Sequence, residues 1–147
     1  YQPDKSMTRV EFTKMLASWL GMDVSAYADA EVPFADLDDV PAWGLDYVKA
    51  MYALGIMEGA SDGVSLYAKP WSYISRAEAA TIVGRALAQG GGEDALDYAD
   101  RDEIPSWAER YMGVLFQTGA MGPLEGLAAP TDAITRAQVA QLLFSMT

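Results

Sequence analysis

Apolar side chains recur at helical spacing in five stretches of the chain. After Pro41, aromatic and aliphatic residues fall at positions i, i+4, i+7, i+8 and i+11, which form one face of a helix. The segment after Pro105 repeats this pattern, and three further segments carry stripes typical of amphipathic helices with one core-facing side. The pattern therefore predicts an all-α fold with long intervening loops and about five main helices, at about residues 8–21, 41–55, 75–89, 105–119 and 135–146.

Three of these predicted helices begin with the same four-residue phrase: a hydroxyl residue, an arginine, a small apolar residue, and Glu or Gln. A hydroxyl followed three residues later by Glu or Gln is typical of a capping box, in which each side chain binds the backbone N–H of the other. An apolar residue precedes each phrase, and a proline lies five positions before each hydroxyl, at Pro3, Pro70 and Pro130. We therefore predict structural capping by Thr8, Glu11, Ser75, Glu78, Thr135 and Gln138.

The arginine of each phrase lacks such an explanation. A cation at the first helical position opposes the helix macrodipole by roughly 0.3–1 kcal/mol, yet Arg9, Arg76 and Arg136 all occupy it. A helix N-terminus with a guanidinium is typical of an anion site. We therefore expect three exposed, anion-binding arginines, and replacement of Arg76 by Ala is expected to spare the fold. The alternative is that each arginine pairs with an acid of a neighbouring repeat.

A second repeat interleaves with the first. Residues 34–43 read FADLDDVPAW and residues 98–107 read YADRDEIPSW. The tryptophans at the ends of these segments, Trp43 and Trp107, lie on the apolar faces of the predicted helices, so we expect both in the core, as for Trp19 on its own stripe. Trp71 lies in a loop, where contact with a ligand is an equal alternative to burial. Glycines at positions 55 and 119 favour the ends of the two helices.

Composition narrows the possible functions. The 147 residues carry a formal net charge of −11, which argues against a nucleic-acid partner. No apolar run approaches the roughly 20 residues of a membrane-spanning helix. The chain lacks cysteine and histidine, which removes thiolate chemistry and the commonest general base and metal ligand. Its acidic segments lack the spacing of a calcium loop, so we predict no metal and no cofactor, and a hydrolase using paired carboxylates is the weakest hypothesis.

Taken in order, these motifs resemble S-layer homology repeats. One full copy reads FADLDDVPAW, GIMEG, KP and ISRAE, and the next reads YADRDEIPSW, GAMGP, AP and ITRAQ. The N-terminal QPDKSMTRVE supplies only the back half of a copy, so we expect a piece of a longer protein. The resemblance implies a half repeat at residues 1–21, a second repeat at 34–89 and a third at 98–147, assembled into one compact, pseudo-threefold domain.

The resemblance also implies a function. S-layer homology triplets are non-catalytic, extracellular modules that bind secondary polysaccharide of the bacterial cell wall, often bearing pyruvate ketals, in grooves between copies. Carried over to this sequence, the binding arginines are Arg9, Arg76 and Arg136, and we add Trp71 and Gly59 as candidates. The third copy departs from the pattern, with Gln138 for the usual Glu and Pro123 where the second copy has Gly59, so its site is expected to differ. The alternative is an assembly module that forms homo-oligomers through the missing half repeat.

Overall fold

Five α-helices dominate the computed structural model, which describes residues 4–146; Pro3, the proline of the first phrase, lies outside these residues. The prediction of a mostly helical fold with five main helices is confirmed for this part of the chain. Each helix begins and ends within about four residues of the predicted bounds. The helices are α1 (Arg9–Trp19), α2 (Leu45–Ala53), α3 (Arg76–Leu87), α4 (Ser106–Thr118) and α5 (Arg136–Ser145).

The connecting segments contain short elements that the apolar pattern did not predict. Two strands, β1 (Ala60–Ser61) and β2 (Leu66–Tyr67), form an antiparallel hairpin in which Ala60 pairs with Tyr67. The remaining loops are tightened by single turns of 3-10 helix at Val24–Tyr27, Leu37–Asp39, Ala42–Gly44, Glu93–Leu96 and Arg101–Glu103. None of the helices in the described residues is long and apolar enough to cross a membrane.

Capping boxes start α1, α3 and α5. In α1, the Thr8 hydroxyl accepts a hydrogen bond from the Glu11 N–H at 3.3 Å, and the Glu11 carboxylate accepts from the Thr8 N–H at 2.9 Å. In α5, the Gln138 side-chain oxygen accepts from the Thr135 N–H at 3.0 Å. These bonds satisfy N–H groups that would otherwise lack partners in the first turn.

The described chain divides into two compact units. One unit, residues 8–73, contains α1, α2 and the hairpin. The other contains the described residues up to Met7 together with those from Ile74 onward, and so holds α3, α4 and α5. The division falls inside the predicted second repeat, so the repeat boundaries at 1–21, 34–89 and 98–147 stay a prediction.

The first unit is built around an apolar cluster of Val10, Phe34, Val40, Val48 and Ala68. Phe34 also meets the Tyr52 ring edge-on, with ring centroids 5.2 Å apart. In the second unit, glycines allow α3 and the loop that contains Gly90, Gly91 and Gly92 to approach α4 closely. A Cβ added at Gly84 would collide with the Tyr111 ring, and one at Gly113 would lie 2.5 Å from the Gly91 carbonyl oxygen.

Three backbone hydrogen bonds link the residues that precede the capping boxes. The Met7 N–H donates to the Ile134 carbonyl at 3.1 Å, the Ile134 N–H donates to Ile74 at 2.9 Å, and the Ile74 N–H donates to Met7 at 2.9 Å. All three residues are buried and lie in the second unit. Met7, Ile74 and Ile134 therefore form a closed ring of three backbone hydrogen bonds within this unit.

Two tryptophans lie where the helical pattern did not place them. Trp43 and Trp107 are 45% and 49% exposed, so the prediction that they lie in the core is wrong. Trp43 belongs to the 3-10 turn before α2, and Trp107 is the second residue of α4, whereas burial begins further along each helix, at Val48 and at Ala108. The Lys14 ammonium lies 5.3 Å from the Trp43 ring centroid, as in a cation–π pair.

Candidate functional site

Arg9 and Arg76 are buried, at 7% and 2% exposure, so the prediction that they are exposed cations is wrong. The first backbone N–H groups of α3 already have hydrogen-bond partners. The Arg76 N–H donates to the Asp132 carbonyl at 2.9 Å, and the Ala77 N–H donates to Pro130 at 3.0 Å. The N-terminus of α3 is therefore already filled by carbonyl groups and does not itself present an open anion site.

The Arg76 side chain holds the loop that follows α4. Its Nη2 donates to the carbonyl oxygens of Gly122 and Ala128. The Asp100 carboxylate binds the same loop by accepting hydrogen bonds from the N–H groups of Ala128 at 2.9 Å and Ala129 at 2.8 Å. We call this arrangement of Arg76, Asp100 and Ala128 the arginine–aspartate clamp.

The same clamp occurs in the other unit. Arg9 Nε donates to the Ala68 carbonyl at 3.1 Å, while Asp36 accepts from the N–H groups of Ala68 at 2.7 Å and Lys69 at 2.8 Å. In both clamps the residue after the alanine has a positive φ, 46° at Lys69 and 51° at Ala129. Asp36 and Asp100 are each the third residue of the repeated segments FADLDDVPAW and YADRDEIPSW, and this common position was a sequence signal of a shared role.

The charged groups of the clamp influence each other's pKa values. Burial lowers the pKa of the Arg76 guanidinium, against the opposing effect of the Asp132 and Asp100 charges. For Asp100, desolvation raises the pKa, but the hydrogen bonds from Ala128 and Ala129 and the charge of Arg76 together lower it below its ordinary value. Arg76 Nε is buried without a hydrogen-bond partner. A donor left unpaired in this way costs free energy.

A cavity of about 140 Å³ opens beside Arg76. Gln138 and Gln141 of α5 also line the cavity, as do residues of the loop that the arginine holds: Ala120, Met121, Gly122, Pro123 and Leu124. Gln138 is half-buried and Gln141 is exposed. The cavity thus combines one buried cation, two side-chain amides and an apolar wall, which is the usual composition of a site for a small polar ligand.

Arg9 lines a much smaller space. Its cavity measures about 10 Å³ and also includes Gly59, Phe34 and Met57. That is barely room for one water molecule. Gly59 has a φ of +82°, and a Cβ there would collide with the Phe34 ring, so close packing alone accounts for this glycine. The structure therefore brings Arg9 and Gly59 together, but in a closed space.

Comparison with known proteins bears on this site. Residues 33–80 match the family model of the S-layer homology domain. The matched segment includes the Asp36 end of one clamp, Gly59, Trp71 and Arg76. The second of the two full copies lies beyond it, so the number of repeats stays a prediction.

Relatives that share this S-layer homology segment include carbohydrate-active enzymes and surface proteins. Amylopullulanase of Thermoanaerobacterium thermosulfurigenes is 30% identical over 99% of this chain. Cell surface glycoprotein 1 of Acetivibrio thermocellus and the surface-layer 125 kDa protein of Lysinibacillus sphaericus are each 28% identical, over 97% and 100% of the chain. The chain spans only 8%, 6% and 12% of these three relatives. The surface proteins among them support the extracellular, cell-surface location expected from the sequence.

Two further candidates do not line the cavity beside Arg76. Trp71, within the S-layer homology match, is 56% exposed, and its ring N–H donates to the Asp39 carbonyl at 3.0 Å. Arg136 is half-buried, and its backbone N–H donates to the Lys5 carbonyl at 3.0 Å. The binding roles of both residues stay predictions.

An acidic cavity of about 530 Å³ lies in the same unit as Arg76. Its acidic lining consists of Asp100, Glu103, Glu125 and Asp132. Within residues 4–146, no group of three or more histidine, cysteine or acidic side chains is arranged to hold a metal ion. With Asp100 already bound to backbone N–H groups, these acids line a solvated surface.

Proposed function

We propose that this chain is a non-catalytic module that anchors its parent protein to the bacterial cell wall by binding secondary cell-wall polysaccharide. The observation that carries the proposal is the cavity that the buried Arg76 lines together with two glutamines, Gln138 and Gln141. A buried cation is favourable only when it is compensated. Backbone carbonyls compensate it in part, and an acidic group of the ligand completes the compensation.

The proposed ligand is a sugar that carries a carboxylate, such as a pyruvate ketal. Hydrogen bonds to charged groups contribute roughly 1.5–3 kcal/mol each, about twice a neutral bond. Pockets that enclose drug-sized molecules measure roughly 300–1,000 Å³. A cavity of about 140 Å³ therefore suits one acidic substituent or one sugar residue, with the rest of the polymer outside.

The distribution of relatives supports an anchoring role. The three proteins named above match this chain over a small part of their length, and their names differ: one is an amylopullulanase, one a cell surface glycoprotein and one a surface-layer protein. A segment that accompanies different activities is suited to attachment rather than to one reaction. We propose that the activity of the parent protein lies outside this chain.

The remaining predicted binding residues fit the proposal unequally. The exposed ring of Trp71 offers a face for stacking on a sugar, and Arg136 offers a second cation. Arg9 and Gly59 share a cavity with room for barely one water molecule. We therefore propose that Arg76 leads in binding, that Trp71 and Arg136 each offer a further contact within their own unit, and that Arg9 and Gly59 act mainly by shaping the first unit.

Sedimentation with purified cell walls tests the function. The chain is expected to pellet with walls that carry their secondary polysaccharide, and to stay in the supernatant after the pyruvate ketals are chemically removed. Gln141→Glu places a negative charge at the rim of the cavity, on an exposed helical position that the fold does not need, and is expected to weaken binding.

The matched control is Gln89→Glu, which makes the same chemical change at an exposed position that does not line the cavity. It is expected to bind as the unchanged chain does. Equal retention on intact walls and on walls stripped of the polysaccharide would contradict the proposal. Pelleting that survives loss of pyruvate but not loss of the polymer would retain the polysaccharide and exclude the ketal.

A further inference from the structure

Gln138 takes part in two features of the structure. It closes the capping box of α5, because its side-chain oxygen accepts from the Thr135 N–H at 3.0 Å and its own N–H donates to the Thr135 hydroxyl at 3.2 Å. It also lines the cavity beside Arg76. Since the oxygen is held by the backbone, the group that remains for the cavity is the amide nitrogen with its two hydrogens.

The other two capping boxes use glutamate at this position. Glu11 and Glu78 accept from the N–H groups of Thr8 and Ser75 in the same way that Gln138 accepts from Thr135. With one carboxylate oxygen held by the backbone, a glutamate presents its second oxygen, which carries negative charge and accepts hydrogen bonds only. Glutamine at position 138 therefore replaces an anionic acceptor with a neutral donor, without any loss to the helix cap.

We propose that Gln138 is the residue that makes the cavity beside Arg76 selective for a carboxylate. Its amide nitrogen donates to the same anionic group that the guanidinium attracts, so the cation and the donor act on one ligand group. A glutamate there would compete with the ligand for Arg76 and repel it. This inference rests on the proposed function, since it names the determinant of ligand choice at the proposed site.

Substitution at position 138 tests the inference with purified secondary polysaccharide as the probe, before and after removal of pyruvate. Gln138→Glu keeps the capping box, as Glu11 and Glu78 do in the other two helices, and is expected to lower affinity for the pyruvylated polymer by about tenfold or more. Gln138→Ala removes the donor without adding charge and is expected to lie between the two. Gln89→Glu, which adds the same charge away from the cavity, is expected to leave affinity unchanged.

The outcomes separate this inference from the proposed function. Affinity in the order Gln, Ala, Glu, found only with the pyruvylated polymer, supports it. If the unchanged chain binds and Gln138→Glu binds equally well or better, the role of Gln138 is wrong while the anchoring function stands. If the unchanged chain does not bind the polysaccharide, the proposed function itself is wrong. Circular dichroism of each variant checks that the helices are intact, and Gln138→Ala decides the matter if Gln138→Glu fails to fold.

Discussion

Arg76 and Asp100 bind opposite ends of one residue, Ala128: the guanidinium takes its carbonyl oxygen and the carboxylate takes its N–H. The two charged side chains thus fix the path of the loop from both sides, and the same loop forms the wall of the cavity. The arginine of the repeated phrase is therefore a structural element as well as a candidate ligand. The expectation that it can be removed without effect on the fold no longer holds.

Replacement of Arg76 by Ala is expected to destabilise its unit by about 2–6 kcal/mol, since the carbonyls of Gly122 and Ala128 both lose their partner at a cost of about 1–3 kcal/mol for each unsatisfied group. Urea unfolding followed by circular dichroism measures this. Lys5→Ala, at an exposed lysine of the same unit, is the control and is expected to stay within about 0.5 kcal/mol. Equal midpoints for the two variants would show that the clamp carries no stability.

The stability of the chain is expected to depend on pH through Asp100. Because the folded state lowers the pKa of this carboxyl, the unfolded state binds more protons, so the stabilisation is present above the ordinary pKa of about 3.9 and is lost as pH falls through the lower, folded value. Asp100→Asn should therefore be less stable than the unchanged chain at pH 7, with the difference shrinking toward pH 2. Urea midpoints across this range check it, and a difference independent of pH would contradict the ionised hydrogen bond.

Gly84→Ala is expected to destabilise the contact between α3 and α4. Alanine favours a helix over glycine by about 1 kcal/mol, but the new methyl group would collide with the Tyr111 ring, and overpacking costs about 1–3 kcal/mol. A double-mutant cycle with Tyr111→Ala measures the coupling. In the absence of the ring, Gly84→Ala is expected to become neutral or stabilising; if it remains as harmful as before, the collision is not the cause.

Thr135→Ala is expected to cost about 0.5–2 kcal/mol through loss of the α5 cap. The bond from the Thr135 N–H to Gln138 uses the backbone, so the folded variant should retain its affinity for wall polysaccharide. Thermal melting and wall sedimentation are compared with Thr131→Ala, which alters an exposed threonine that caps no helix. A loss of wall binding with an unchanged melting temperature would assign the hydroxyl to the ligand.

The helices could be predicted because their signals are local. Capping boxes, apolar stripes and terminal glycines all act within a few residues, and Gly119, with φ +83°, ends α4 as the pattern indicated. The hairpin at residues 60–67 was missed, although Asp62-Gly63, in the loop between the two strands, is a turn signal. Its strands of two residues are too short to show an alternating pattern.

The clamp could not be predicted in the same way. Charged side chains are rarely buried, so an arginine at a helix start is normally taken to be exposed. Its partners are the carbonyl groups of Gly122 and Ala128, far along the chain. Because every residue has a backbone carbonyl, the type of the partner residue does not reveal the contact. The repeated Asp36 and Asp100 were the part of the clamp that the sequence pattern revealed. Only the fold shows that each aspartate and each arginine meet at an alanine.

The ring formed by Met7, Ile74 and Ile134 has a consequence for the order of folding. Its three hydrogen bonds join residues from the two ends of the chain and from its middle, so the ring cannot close until the third phrase has been synthesised. Contacts of such long sequence separation slow folding because the chain must lose loop entropy before they form. During translation, the Met7 N–H therefore remains hydrogen-bonded to water until Ile134 has been synthesised, although the Met7 carbonyl can pair with Ile74 earlier.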